Sequence, residues 1–295
     1  MFDFLGVVKT HLRNIDARLS PNGSGRQYIA SNSVAHINGL AESFNGKVFY
    51  EAAAIGTPVQ ACATASKTYI LQGSHQPIVV ITGADGAASD CGIPDAVAGS
   101  ARGILRLACK DTNTTATGVG FHQADQLWIN PDADFTVHFD VNAVVNAQWG
   151  NTISLAQFGV MGGKGANFLV VDPCTSALTN VPSTDFVMVE LSENKARLVT
   201  KLASDSTAVT VSPWMSYVTT DPHVFTIEYL VARKQLILRI DGQESTSVTI
   251  SRTGALGALQ VFARVGHLAA YTAATHAPFG IDIDAIVARV PKYTM

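Results

Sequence analysis

Two alternating apolar runs separated by a short polar turn constrain the fold of this chain more than any other feature. Residues 223–242 read HVFTIEYLVARKQLILRIDG. Apolar residues recur with a period of two in both runs, at Phe225, Ile227, Tyr229, Leu236, Leu238 and Ile240. The pattern predicts a β-hairpin with a turn at residues 232–235. A further strand is predicted at residues 247–250, after the turn residues Asp241 and Gly242.

The same alternation recurs along the remainder of residues 101–295. Its clearest case is DFTVHFDV at residues 134–141, where every second residue is apolar. The other strands predicted in this part lie at residues 103–109, 126–129, 153–160, 167–171, 186–191, 196–201, 207–211, 259–265 and 280–290. About a dozen strands joined by turns predict an all-β fold, an antiparallel two-sheet jelly-roll sandwich, as one domain over residues 101–295.

The first hundred residues differ in composition and predict two further parts. Residues 1–20 are expected to form an amphipathic helix. Residues 21–100 are rich in Ala and Gly and carry short strand-like runs at residues 47–50, 68–71 and 77–82. We interpret residues 21–100 as a β-containing arm or a small domain.

The expected N-terminal helix carries an apolar seam with a spacing of three and four residues. The seam consists of Leu5, Val8, Leu12, Ile15 and Leu19. It covers barely two heptads, fewer than the three or four that make a coiled coil convincing. The helix is therefore predicted either to join copies of the chain into a homo-oligomer or to dock on its own domain.

Three segments together resemble the concanavalin A-like lectin/glucanase superfamily, especially its laminin-G-like members. They are DADFTVHFDV at residues 132–141, HVFTIEY and LILRIDGQ within residues 223–243, and FGIDIDAIVAR at residues 279–289. The resemblance covers about residues 101–291 and implies a jelly roll of two curved sheets. It further implies that the concave face is of the kind that often binds glycans and sometimes hydrolyses them. Calcium ligated by Asp and Asn oxygens is compatible with the resemblance, but no residue is assigned to it.

The charge balance limits the partners that the chain can have. Charged residues make up 15% of the chain and the formal net charge is −3, so no positive field favours nucleic acid as a partner. So few charges fit a surface covered by neighbouring proteins, or a monomer with an uncharged polar surface. No apolar run approaches the roughly 20 residues of a membrane span, and the N-terminus lacks a signal-peptide pattern. We therefore expect synthesis in the cytoplasm and no membrane association.

Histidine and cysteine spacing gives no indication of a metal or another cofactor. None of the HxH, HExxH or CxxC patterns occurs, and no metal site is assigned. The cysteines are Cys62, Cys91, Cys109 and Cys174. Free buried thiols are expected for them, although the even count leaves disulfides open.

The sequence contains no intact set of hydrolytic residues. A glucanase of this superfamily is expected to carry ExDxE or ExDxxE, because alternation places such carboxylates on one face of a strand. The nearest approach is Asp282 with Asp284, which are predicted to share a face, while Asp132 with Asp134 resembles a turn before a strand. No catalytic residue is assigned, and the chain is expected not to be an enzyme.

Glycan binding combines an aromatic platform with a few fixed polar groups. Aromatic residues in predicted loops and polar residues on strand 134–141 supply candidates for such a patch. These candidates are His138, Asp140, Trp149, Trp214 and Tyr217. Packing in the core or at its rim is the alternative role for the aromatic residues.

Three functions are carried forward from the sequence. The first is a non-enzymatic structural protein of a virus particle, such as a bacteriophage capsid decoration, head-fibre or tail-associated protein, which contacts its own copies and capsid or tail proteins and resides in the virion. The second is a lectin-like adhesin that binds a cell-surface polysaccharide. The third is a glycoside hydrolase of the glucanase type.

Overall fold

The computed structural model describes segments of the chain between residues 39 and 289. They are residues 39–44, 48–53, 58–59, 62, 64–71, 78–83, 92–93, 103–109, 118–123, 129–144, 154–164, 168–171, 185–192, 194–202, 209–218, 221–250, 258–267 and 279–289. The strands in chain order are β1 (Gly39–Ser43), β2 (Phe49–Glu51), β3 (Pro58–Val59), β4 (Thr68–Leu71), β5 (Ile78–Thr82), β6 (Leu105–Cys109), β7 (Val119–Gln123), β8 (Phe135–Val144), β9 (Ser154–Met161), β10 (Phe186–Ser192), β11 (Lys195–Lys201), β12 (Thr210–Val211), β13 (Met215–Ser216), β14 (His223–Leu230), β15 (Gln235–Ile240), β16 (Gln243–Thr249), β17 (Gln260–His267) and β18 (Phe279–Arg289). A 3₁₀ turn at Val231–Arg233 joins β14 to β15.

The hairpin predicted at residues 223–242 is confirmed. Strands β14 and β15 pair antiparallel, with Phe225 opposite Ile240 and Tyr229 opposite Leu236. The connection ends at Lys234, whose φ of 50° lies in the left-handed region. Strand β16 pairs with β15 and begins at Gln243, four residues before the predicted start, because Asp241 and Gly242 alone complete the tight turn.

Two antiparallel sheets contain the eighteen strands of the described segments. The seven-stranded sheet has the order β1–β18–β8–β14–β15–β16, and β6 pairs with β18 beside β1. The eleven-stranded sheet has the order β12–β11–β10–β9–β17–β7–β5–β4–β2–β3, and β13 pairs with β11 beside β12. This arrangement confirms the predicted all-β, two-sheet sandwich.

Strands from the first hundred residues belong to these same two sheets. Strand β1 pairs with β18 over five residues, and β5 pairs with β7 from Ile78 to Thr82. Strands β1 to β5 thus extend the two sheets at their edges. The division at residues 20 and 100 stays a prediction, and the helix predicted at residues 1–20 lies outside the described residues.

The main core lies between the two sheets and is rich in aromatic side chains. The rings of Phe139 in β8 and Phe158 in β9 have centroids 4.9 Å apart. Phe158 also meets Phe225 of β14 edge-on at 5.4 Å, so one phenylalanine of the eleven-stranded sheet contacts two of the seven-stranded sheet. Cys62 and Cys109 are buried, as expected; Cys91 and Cys174 lie outside the described residues.

The structure differs from the prediction at one predicted strand and at four strands that were not predicted, β1, β3, β7 and β13. Of the strand predicted at residues 167–171, the structure describes residues 168–171, which form a turn and an extended segment against the outer face of the eleven-stranded sheet. Strand β7 was not predicted, because Gly118 and Gly120 give its sequence little apolar alternation. In the segments that the structure describes, no helix is long and apolar enough to cross a bilayer.

Candidate functional site

Four neighbouring strands of the eleven-stranded sheet each place one polar residue in the same row. Arg264 of β17 lies opposite Gln157 of β9, Gln157 lies opposite Glu190 of β10, and Glu190 lies opposite Arg197 of β11. Their strand neighbours Ala263, Phe158 and Val189 belong to the core between the sheets. Since side chains alternate along a strand, the row lies on the outer face of this sheet.

Hydrogen bonds connect the row from end to end. Arg264 donates from Nε and Nη2 to Oε1 of Gln157, at 2.8 and 2.5 Å. Gln157 Nε2 donates to Oε2 of Glu190 at 2.7 Å, and Arg197 Nε donates to Oε1 of the same carboxylate at 2.8 Å. Arg264, Gln157 and Glu190 are fully buried, so each of these bonds replaces water that the side chain has lost.

The segment 168–171 covers the Arg264 end of the row. The carbonyl oxygens of Phe168 and Val170 accept from Arg264 Nη1 at 2.8 and 3.4 Å, and that of Leu169 accepts from the backbone N–H of Gly118 at 2.9 Å. The Phe168 ring sits over Gly120, where a Cβ atom would come within 2.8 Å of it. The centre of this outer face is therefore occupied by the chain itself.

A second apolar cluster continues this cover on the same face. Its buried members are Met161, Phe168, Phe186, Met188, Val199, Val209 and Phe262. The rings of Phe168 and Phe262 meet edge-on at 6.2 Å. The apolar cover explains how charged side chains come to be buried on the outside of a two-sheet sandwich.

The opposite end of the row is marked by Trp214. The guanidinium carbon of Arg197 lies 4.3 Å from the centroid of the Trp214 ring, within the range of a cation–π contact. Trp214 is half-exposed and lies between β12 and β13, both of which pair with β11. Ser212 Oγ accepts from the backbone N–H of Leu198 at 2.9 Å and fixes the start of this segment.

Tyr217 fixes the other end of the segment that carries Trp214. Its backbone N–H donates to the carbonyl oxygen of Asn194 at 3.0 Å, and its ring meets His223 and Phe225 edge-on at 5.5 and 5.6 Å. Burial raises the pKa of the Tyr217 hydroxyl well above its usual value, so the hydroxyl is neutral at physiological pH. His223 contacts the carbonyl oxygen of Val218 through Nε2 at 2.5 Å and holds the segment further.

The candidates chosen from the sequence fall on different sheets. Trp214 and Tyr217 lie in one segment at the edge of the eleven-stranded sheet. His138 and Asp140 lie on β8 in the seven-stranded sheet, where His138 Nδ1 is 2.8 Å from Oγ1 of Thr226 and Asp140 is buried. Trp149 and the five residues of the helical seam lie outside the described residues. Trp214 and Tyr217 thus share a segment but contact different parts of the fold, since Trp214 lies over Arg197 on the outer face and Tyr217 packs against the core. His138 and Asp140 lie on the other sheet.

The carboxylates considered for hydrolysis have structural contacts. Asp282 receives two hydrogen bonds from Arg106, at 2.6 and 2.8 Å. A register shift between Ile283 and Ala285 interrupts the alternation from which a shared face for Asp282 and Asp284 was predicted. Asp134 Oδ1 accepts from the backbone N–H of Val231 at 2.8 Å, which agrees with a turn before β8.

The structure offers no cluster of metal-binding side chains in its described segments. Within those ranges, no group of three or more His, Cys, Asp or Glu side chains could hold a metal ion.

The polar row was not predicted, although the sequence contains a signal for it. Glu190 and Arg264 stand in strands whose other residues are mostly apolar, FVMVELS and QVFARVGH. A charged residue in a strand buried on both faces indicates a paired, buried charge. The partner of such a charged residue depends on the register of four strands, and the sequence of a single strand does not determine that register.

Comparisons with known proteins bear on architecture alone. No protein-family model matches the chain, and no curated protein matches it. A mixed linkage glucan GH16 structure from Bacteroides ovatus is 9% identical with a TM-score of 0.47, covering 84% of this chain and 98% of its own. An endo-1,3-beta-glucanase from Streptomyces sioyaensis is 12% identical with a TM-score of 0.46, covering 85% of this chain and 95% of its own. The CBM2 module of the evolved Dit of Lactobacillus casei BL23 phage J-1 is 13% identical with a TM-score of 0.43, covering 66% of this chain and 80% of its own.

These solved structures are concanavalin A-like jelly rolls, the architecture that the sequence resemblance predicts. Identities of 9–13% and TM-scores below 0.5 give no information on what this chain binds or whether it acts on a substrate. The chemistry of its own residues has to supply any functional argument.

Proposed function

We propose that the protein is a non-enzymatic, lectin-like protein that binds a saccharide through the surface around Trp214. The observation that carries this proposal is the indole ring held 4.3 Å from Arg197, whose guanidinium is itself bound by the buried carboxylate of Glu190. An aromatic ring fixed before binding loses little side-chain entropy when a ligand stacks on it. Pre-organisation of this kind favours a binding role over a purely structural one.

The surroundings of Trp214 fit a sugar better than an apolar ligand. A pyranose presents C–H groups to an aromatic face and hydroxyls to polar neighbours. Next to Trp214, the facing strands β11 and β13 place Lys195 opposite Ser216, and the turn before β11 exposes Asn194. An ammonium, a hydroxyl and an amide thus belong to residues of the two strands and the turn next to the half-exposed ring and can hydrogen-bond a hydroxylated ligand.

The carboxylate that binds Arg197 is unsuited to acid–base catalysis. Glu190 is fully buried and receives hydrogen bonds from both Gln157 and Arg197. Glycoside hydrolysis requires two carboxyls, one on each side of the scissile bond and accessible to it. This supports binding without turnover at the Trp214 surface.

A glycan array with the full chain tests the proposal. We expect selective binding to at least one saccharide and, for Trp214→Ala, a loss of affinity of roughly 30-fold, as for an aromatic residue at the centre of an interface. The matched control is Val218→Ala, since Val218 is exposed on the same segment and carries no polar group. An array without any bound saccharide, or equal affinities of Trp214→Ala and the unmodified chain, would refute the proposal.

We further propose, as a second candidate, a structural role in a bacteriophage particle, with the virion as its location. The apolar seam of residues 5–19 and the 15% content of charged residues favour contacts between copies of the chain and with capsid or tail proteins. Deletion of residues 1–20 is then expected to lower the mass measured by light scattering. An unchanged mass rules out oligomerisation through this seam, and co-purification with particles tests the location.

A further inference from the structure

A shallow cleft lies at one end of the outer face of the seven-stranded sheet, whereas Trp214 lies on the eleven-stranded sheet. Its volume is about 290 Å³, near the lower end of the range for small-molecule sites. The residues that line it come from β18, from β8 with the residue before it, and from β14. They are Asp134, Phe135, Thr136, Glu228, Tyr229, Leu230 and Arg289.

Strand register places three of the polar side chains in one line across the cleft. Thr136 on the central strand β8 lies opposite Arg289 on one side and opposite Glu228 on the other. Neighbouring strands are about 4.8 Å apart, so the Cα atoms of Arg289 and Glu228 are separated by roughly 10 Å. A cation, a hydroxyl and an anion therefore follow one another across three adjacent strands.

The two carboxylates of the cleft are held in fixed positions. Glu228 Oε2 accepts from Nε and Nη2 of Arg239 at 3.1 and 3.0 Å. Asp134 Oδ1 accepts from the backbone N–H of Val231 at 2.8 Å. Burial, and after it the charge of Asp134, raise the pKa of Tyr229, which agrees with a carboxylate close to the Tyr229 hydroxyl. Each carboxylate thus has one oxygen engaged within the protein.

Arg289 differs from the two carboxylates in having no such restraint. Its side chain is exposed, and no hydrogen bond or ion pair joins its guanidinium to another of the described residues. A guanidinium is a five-donor group that matches a carboxylate in geometry and charge. Arg289 is therefore the group in the cleft that is most available to bind an anionic ligand.

We propose that this cleft binds an acidic sugar, whose carboxylate meets Arg289 and whose ring hydroxyls donate to Asp134 and Glu228. A simple anion would meet one guanidinium and two carboxylates, which oppose it. A simple cation would meet the carboxylates but also Arg289. A ligand that carries both hydroxyls and a carboxylate suits all three charged residues of the cleft. Its hydroxyls donate to Asp134 and Glu228, while its carboxylate accepts from Arg289. This site is separate from the Trp214 surface and does not rest on the function proposed for it.

Saturation-transfer NMR of the full chain with glucuronate and with glucose tests the inference, because these sugars differ by one carboxylate. At millimolar concentration we expect glucuronate to bind at least about tenfold more tightly than glucose, the difference that a hydrogen bond between charged groups supplies. Arg289→Gln is expected to abolish this preference. Arg233→Gln is the charge-matched control, because Arg233 is exposed in the adjacent turn but does not line the cleft.

Three outcomes would overturn the inference: no saturation transfer to glucuronate, equal binding of the two sugars, or a glucuronate preference that survives Arg289→Gln. Trp214→Ala separates this site from the proposed function. It is expected to leave the glucuronate signal unchanged, so a failure at one site does not imply a failure at the other. Loss of the glucuronate signal in Trp214→Ala would assign the ligand to the Trp214 surface and reject the cleft.

Discussion

Glu–Arg pairs on neighbouring strands occur in both sheets, and the closest pair of one sheet differs in burial from that of the other. Glu190 and Arg197, on β10 and β11, have side chains that are 0% and 13% exposed. Glu228 and Arg239, on β14 and β15, are 28% and 31% exposed and their closest atoms are 3.0 Å apart. The same two residue types, both on outer faces, thus form a buried network in one sheet and a partly hydrated pair in the other.

The surroundings of the pairs account for this difference. Glu190 also binds Gln157, which in turn binds Arg264, and the segment 168–171 covers that end of the row. Arg239 also lies 3.7 Å from Glu244, which is itself half-exposed at 49%. Residue pairing within a sheet therefore sets which charges meet. The cover over the sheet sets how much each meeting contributes to stability.

Among the substitutions that test this difference, Glu190→Gln is expected to change the free energy of unfolding most. It removes the charge that Arg197 requires and replaces a carboxylate oxygen with an amide N–H, which then faces a donor, Gln157 Nε2 or Arg197 Nε, at a fully buried position. We expect the free energy of unfolding to fall by about 3–5 kcal/mol, as when one partner of a buried pair is lost. Urea unfolding followed by tryptophan fluorescence measures it, and Glu228→Gln is the control with the same chemical change. A loss no greater than that of the control would mean that burial makes no difference between the pairs.

The hairpin at residues 223–242 was predictable because its information is local. The period of two placed Phe225, Ile227 and Tyr229 on the core side, and each of them is buried. The turn residues Asp241 and Gly242 both have positive φ, which the sequence indicates directly. Periodicity and turn chemistry act over a few residues, so a single sequence contains them.

The polar row and the cleft were not predictable for the opposite reason. Arg264 meets Gln157 across 107 positions of sequence, and Arg289 lies opposite Thr136 only because β18 and β8 are neighbours. The segment at residues 167–171 was predicted as a strand because its apolar run suits one. In the structure those apolar side chains cover the sheet instead of extending it, and local sequence does not distinguish the two uses.

Gly120→Ala tests whether the segment 168–171 is seated as closely as the geometry indicates. A Cβ atom at Gly120 would lie 2.8 Å from the Phe168 ring and 3.0 Å from the carbonyl oxygen of Ala263. We expect a loss of about 1–3 kcal/mol in the free energy of unfolding, the cost of overpacking. Adding Phe168→Leu should recover part of that loss, because it removes the closest atoms. Unchanged stability of Gly120→Ala would show that the segment 168–171 can shift away from the sheet without loss of free energy.

Glu228→Gln is expected to have the smallest effect and to respond differently to salt. Exposed ion pairs contribute about 0–1 kcal/mol and are screened by ions in solution. The small loss from Glu228→Gln should therefore disappear in molar salt, whereas the loss from Glu190→Gln should persist, because ions do not reach a fully buried carboxylate. Urea unfolding of both variants at low and high salt measures the contrast. Parallel salt responses would mean that water reaches Glu190, and the outer face of the eleven-stranded sheet would then have to open in solution.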